Sequence, residues 1–159
     1  MSLASQPTCL RRSRVALLDH YLDQMLKASC GVGRLLAKAN ENLEMTAVAL
    51  ASKKYNVCAS RAYYGVFLAS IAALIKLTGV RAKDNEWQHG QVQAEINRQL
   101  IMRRKLLPAE TGRTPMDLME LRHLADYKSQ SVTAREAKRA YDRAKRFFYS
   151  IAKALGESQ

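Results

Sequence analysis

The most constraining feature of this chain is the stretch from Ala62 to Ile75, fourteen residues without a charge, bounded by Arg61 and Lys76. Across Val57–Leu77 apolar residues fall on nearly every side of a helix of about 3.6 residues per turn, not on one stripe. A helix of that kind is stable only with other helices around it. The predicted architecture is therefore an all-α bundle with this segment at its centre. The uncharged run is shorter than the roughly 20 residues that cross a bilayer, so it reads as core and not as a membrane span.

The rest of the sequence agrees with that centre. Seven Gly and three Pro in 159 residues leave few places to turn, which excludes a many-stranded sandwich or barrel. Apolar residues recur at three and four positions, and strict alternation never lasts for the length of a strand. Five or six up-and-down helices are expected in one domain, with residues 1–33 as an extension carrying one helix (about Val15 to Lys27), 34–156 as the bundle and 157–159 as a tail. Gly31-Val-Gly33 reads as a hinge before a helix from Leu35 to Lys54, and Thr78-Gly79 as the end of the central helix. Asp84 or Asn85, with Gln88 three positions after Asn85, predicts a capped start for a helix that runs to about Leu106. Thr114 reads as a cap and Pro115 as a first helical residue, opening a helix to about Lys128. Thr133 and Glu136 form a capping box for the last helix, whose apolar face is read as Ala137, Ala140, Tyr141, Ala144, Phe148, Ile151 and Leu155.

Lys and Arg number 26 against 14 Asp and Glu, a net charge of +12 that attracts phosphates, anionic lipids or acidic proteins. Arg103, Arg104 and Lys105 form one basic run, and Arg139, Arg143 and Arg146 lie on a basic stripe of the last helix. Either is a solvated face or a track along an RNA backbone. The other face of that last helix suits core packing, so no membrane partner is expected. Cys9, Cys30 and Cys58 are odd in number and widely spaced, which encodes neither a disulfide framework nor a zinc site and points to a reducing compartment. The polar start, Met1 to Pro7, and the break at Asp19, His20 and Asp23 do not read as a secretory signal, so a cytoplasmic location is expected. No metal or cofactor is expected.

Two segments carry the functional signal: Ser60-Arg61-Ala62-Tyr63-Tyr64-Gly65-Val66-Phe67 in the central helix and Arg122-His123-Leu124-Ala125-Asp126-Tyr127 in a later one. Together they resemble the HEPN domain family of prokaryotic helical proteins, over roughly Leu35 to Leu155. Lys54-Tyr55, Gly79, His89-Gly-Gln-Val92 and Leu106-Leu107-Pro108 fit the same spacing. The resemblance implies a helical bundle, commonly a homodimer, that engages RNA or a nucleotide-bearing partner in toxin–antitoxin or defence systems. A small nucleotidyltransferase of the MNT type is an implied cognate protein. Catalytic members are metal-independent ribonucleases with Arg, four to six residues, then His; here Tyr127 stands where that spacing from Arg122 would place the histidine.

Tyrosine titrates near 10 and histidine near 6.5, so Tyr127 is a weak base at neutral pH. Positions five apart on a helix diverge by about 140°, whereas Arg122 and Asp126 share a face. Two readings of the group stay open. In one, Arg122, Asp126, Arg61 and Tyr63 or Tyr64 form a hydrogen-bonded polar knot that fixes helix register. In the other, Arg122 faces phosphate across a dimer groove with Asp126 and Tyr127 orienting it, Arg61 is a further phosphate-binding candidate, and Tyr63 and Tyr64 are structural or orienting. An endoribonuclease with a composite site at a dimer interface would use Arg122 with Tyr127 or His123, and a non-catalytic adaptor for a protein partner is a third class. Arg14 and His20 also satisfy an arginine–histidine spacing but read as surface residues, and His89 reads as capping or packing.

Overall fold

A computed structural model of the chain describes residues 31–82 and 86–156, and no strand occurs among them. The expected helix from Val15 to Lys27 and the expected caps Asp84 and Asn85 lie outside the described residues. The protein is an all-α bundle. Its elements are α1 (residues 31–51), α2 (Tyr55–Thr78), α3 (His89–Glu95), continued by π-helical turns over Ile96–Arg103, a 3₁₀ turn (Ala109–Thr111), α4 (Thr114–Tyr127) and α5 (Ala134–Ala154).

α2 lies at the centre, as its all-round apolarity predicts. Buried residues occur on every side of it, from Cys58 and Ala62 through Val66 and Ala69 to Leu74. By length and composition α2 would span a bilayer, but 67% of its most apolar window is buried among the other helices, as expected for a bundle's core helix. It ends where expected. Gly79 adopts φ 71° and its N–H bonds the Ile75 carbonyl at 3.1 Å, closing the last turn in a left-handed conformation that glycine adopts without strain.

α1 packs antiparallel to α2 and close to it. A Cβ on Gly65 would stand 3.3 Å from both the Ala39 carbonyl and Leu43 Cγ, so the missing side chain permits the approach. The expected hinge at Gly31-Val-Gly33 does not form, since both glycines are helical. Val32 and Leu36 are buried in the main core, and their burial outweighs the cost of about 1 kcal/mol per helical glycine. α1 also stops short of Lys54: Ser52 and Lys53 turn, with Lys53 at φ 55° and the Lys54 N–H bonded to the Ala49 carbonyl at 2.8 Å.

α4 runs antiparallel to α2 and α5. The capping box of α5 forms in both directions, with the Thr133 hydroxyl accepting from the Glu136 N–H and the Glu136 carboxylate accepting from the Thr133 N–H. Its buried face is Ala137, Ala140, Ala144, Phe147 and Ile151. Phe147, not Phe148, fills the centre; Phe148 packs at the margin. The i, i+3, i+4 spacing from Ala140 through Ala144 leads to 147, and a face drawn through Tyr141 and Phe148 is rotated by one position. Cys58 touches α5, where its thiol donates to the Ala137 carbonyl at 3.6 Å, and burial pushes its pKa up to about 11, as for an inert core thiol.

Two helix starts differ from the sequence expectation. Residues 86–88 are not helical and α3 begins at His89, with Gln88 extended at φ −83°, ψ 134° and making no side-chain cap. Trp87 packs on the main core, which holds this segment out of the helix. Thr114 is not a cap either. Arg113 holds the cap position, no side chain caps the helix, and Pro115 lies within the first turn.

Candidate functional site

Three helices bring the two motif segments together. On α2, Tyr63 and Tyr64 stand edge to face with centroids 5.6 Å apart, and Phe67 stacks on Tyr63 at 5.8 Å. On α4, Arg122 lays its guanidinium over both tyrosines, 4.8 Å from the Tyr64 ring centre and 5.4 Å from that of Tyr63. Its Nε donates to Asp126 Oδ2 at 3.1 Å, the helical i, i+4 pair that spacing predicts. Arg61, one turn before Tyr64, sits 6.0 Å from the Tyr64 ring and donates to Asn42 Oδ1 of α1 at 3.4 Å.

The third helix adds a residue the motifs do not contain. His89, first residue of α3, is hydrogen-bonded through Nδ1 to the Tyr63 hydroxyl, and its ring lies 4.5 Å from that of Phe67. Burial lowers its pKa from the ordinary 6.5, and Arg122 lowers it further. Burial likewise pushes Tyr63 up to about 12, with Arg122 opposing and Tyr64 adding to the rise. At neutral pH both groups are therefore uncharged. Of the Tyr63 hydroxyl and His89 Nδ1, whichever carries the hydrogen donates to the other, according to the imidazole tautomer. A phenol in that state is not a base.

Arg122 is the cation at the centre of the cluster. Burial disfavours its cation, but the Asp126 hydrogen bond, with Tyr64, Asp126 and Tyr127 nearby, outweighs that and raises its pKa above the ordinary value. Its side chain is 18% exposed: held between helices, yet not sealed. Nε is committed to Asp126, whereas both Nη groups have no protein acceptor among the described residues. The side chain that steadies the cluster thus also presents unclaimed donors of the kind that grip phosphate.

The other expected residues are distributed around this centre. Tyr127 is 67% exposed and meets His123 edge to face at 5.1 Å on the outer side of α4. Arg103, Arg104 and Lys105 lie at the end of the π-helical turns, and Arg104 donates to the Leu77 carbonyl at the C-terminus of α2. On α5, Arg143 pairs with Asp117 of α4 at 2.6 Å, and Arg139 and Arg146 are exposed. The structure therefore assembles Arg122, Asp126, Tyr63, Tyr64 and Arg61 in one place and leaves the two basic runs on separate elements. No group of three His, Cys, Asp or Glu side chains fit to hold a metal occurs among the described residues.

The HEPN domain matches residues 32–154, which is most of the chain. The protein belongs to the HEPN family, a family of the nuclease and toxin–antitoxin type. No curated protein matches the sequence significantly.

Proposed function

We propose that this HEPN protein captures RNA, or a nucleotide-bearing partner, through Arg122, within a toxin–antitoxin or defence system. The observation that carries the reading is the state of that guanidinium: locked by Asp126 and two tyrosine rings, permanently charged, and with both Nη groups unclaimed among the described residues. The +12 net charge supplies the long-range attraction. Arg61 and the basic runs at 103–105 and on α5 extend the contact along a backbone, which sets affinity without sequence preference. The protein acts as a cytoplasmic homodimer, with a small nucleotidyltransferase as its cognate partner.

Cleavage is a second reading, favoured by the exposed pair Tyr127 and His123 on the helix that carries Arg122. Purified protein incubated with mixed RNA in EDTA distinguishes the two. Saturable binding of intact RNA, weakened in Arg122→Ala, supports capture; fragmentation lost in Arg122→Ala and His123→Ala makes the protein a metal-independent endoribonuclease. If about five charges meet a single strand, affinity falls about a hundredfold between about 50 and 200 mM salt. RNA affinity indifferent to salt and to Arg122 would refute both readings and leave an adaptor for a protein partner.

A further inference from the structure

Eight residues from Arg122, about 12 Å along α4, the N-terminus of the same helix opens into a cavity of about 590 Å³, within the size range of small-ligand sites. Fully buried Phe147 and Tyr149, which is 42% exposed, are among its lining residues. None of Arg122, Tyr63 or His89 lines it.

The N-terminal wall is polar and incompletely used. Thr114 is only 7% exposed and its hydroxyl has no protein partner among the described residues. No polar side-chain atom there is sealed without a partner, so this hydroxyl opens onto the cavity the residue lines. The first intrahelical bond of α4 runs from the Asp117 N–H to the Arg113 carbonyl at 2.9 Å. The Thr114 and Met116 N–H groups precede it and have no helical acceptor, and Pro115 has no N–H to offer.

The cations are arranged unequally. Asp117 accepts from Arg143 at 2.6 Å and faces the exposed Arg113 at 3.6 Å, so its carboxylate is balanced by cations. Arg146 lines the cavity and has no acidic partner among the described residues. With exposed Glu110 counted, three arginines face two acids, a net positive site. A helix N-terminus, an unpartnered hydroxyl and a free arginine together suit a phosphate. Tyr149, which lines the same cavity and has the Lys145 ammonium 5.7 Å from its ring centre, offers a ring on which a flat base can stack.

We propose that this cavity binds a nucleoside monophosphate, with its phosphate on the Thr114 hydroxyl, the α4 N-terminus and Arg146, and its base against Tyr149. The ligand is either a free mononucleotide or the 5′-phosphorylated terminal nucleotide of an RNA. The inference does not depend on the role assigned to Arg122.

The test is equilibrium dialysis of the full chain at low salt with AMP, GMP, CMP, UMP and inorganic phosphate, beside a short oligoribonucleotide with and without a 5′-phosphate. At least one monophosphate binds with a Kd below about 1 mM and more tightly than inorganic phosphate. Arg146→Gln and Thr114→Val each weaken it about tenfold or more. Tyr149→Ala weakens nucleotides but not inorganic phosphate, and the charge control Arg98→Gln changes affinity less than about twofold. Tighter binding of the phosphorylated oligonucleotide than of the mononucleotides assigns the site to RNA ends; equal or weaker binding assigns it to the free nucleotide. Arg146 is exposed and Thr114→Val keeps shape, so circular dichroism of both variants matches the parent. No saturable binding of any monophosphate up to about 10 mM, no preference over inorganic phosphate, or affinity unchanged in both folded variants overturns the proposal.

Discussion

Replacing Arg122 by alanine separates what this side chain does for the fold from what it does for a ligand. The substitution removes a guanidinium 4.8 and 5.4 Å from two tyrosine ring centres and its 3.1 Å bond to Asp126. Partly buried cation–π contacts contribute about 0.5–2 kcal/mol each, and a helical i, i+4 ion pair adds about 0.3–0.5 kcal/mol. Because the two rings share one cation, the expected loss is about 2 kcal/mol, or roughly 4–8 °C in Tm for a domain of this size. Urea unfolding followed by circular dichroism reads the loss. A double-mutant cycle with Tyr64→Leu reads its cause, with an expected coupling of about 0.5–1 kcal/mol. Less than a third of the Arg122 side chain is exposed, so most of the coupling persists in about 0.5 M salt, where a surface pair would fade. A coupling indistinguishable from zero refutes the ring contact as the stabilising element. RNA affinity measured well below the variant's Tm then isolates the second role: a fully folded Arg122→Ala protein that binds RNA like the parent makes Arg122 scaffold alone.

Phe147→Ala is expected to cost about 3–5 kcal/mol and Phe148→Ala clearly less, so a reversal of their order in urea midpoint would refute the register of α5. In Gly112→Ala the new Cβ would stand 2.5 Å from Asn97 Oδ1 and 3.1 Å from Ile101 Cδ1. Asn97 cannot swing away without losing its bonds to the Gln93 and Gly112 carbonyls, so a loss of about 1–3 kcal/mol is expected, and an unchanged Tm would contradict the packing. His89 has a lowered pKa in the folded state, so the unfolded chain takes up its proton first. Stability from this group is full above the unfolded value of about 6.5 and declines as pH falls from there through the folded pKa. The urea midpoint should therefore drop between about pH 7.5 and 5.5 in the parent and less in His89→Gln; parallel profiles would remove His89 as the cause.

How much was legible in the sequence differs by feature. The centre of the bundle was readable because no other environment suits a helix apolar on all sides, and the α5 start because Thr133 and Glu136 satisfy each other within four residues. The pairing of Arg122 with Asp126 followed from helical spacing. What local spacing does not contain is which helices touch. His89 joins Tyr63 across 26 positions, and nothing within the His89 segment distinguishes a ring that meets a tyrosine from one that faces water. The glycines at 31 and 33 misled for the same reason, since propensity weighs about 1 kcal/mol per residue while the burial of Val32 and Leu36 is a tertiary fact. Thr114 shows the converse: a residue typed as a cap stands one position inside the helix, and its hydroxyl has no protein partner among the described residues.

The scaffold and capture roles of Arg122 do not exclude one another. In the structure the scaffold contacts occupy only part of the group. Asp126 takes Nε, the guanidinium carbon lies over the two tyrosine rings, and the Nη groups have no protein acceptor among the described residues. Fixing the rest of the side chain removes most of the rotamer entropy that a free surface arginine would lose on gripping a phosphate. The contacts that hold α2 and α4 in register therefore also pre-organise the charge, and a substitution that keeps the charge but not the planar fork, such as Arg122→Lys, loses both at once.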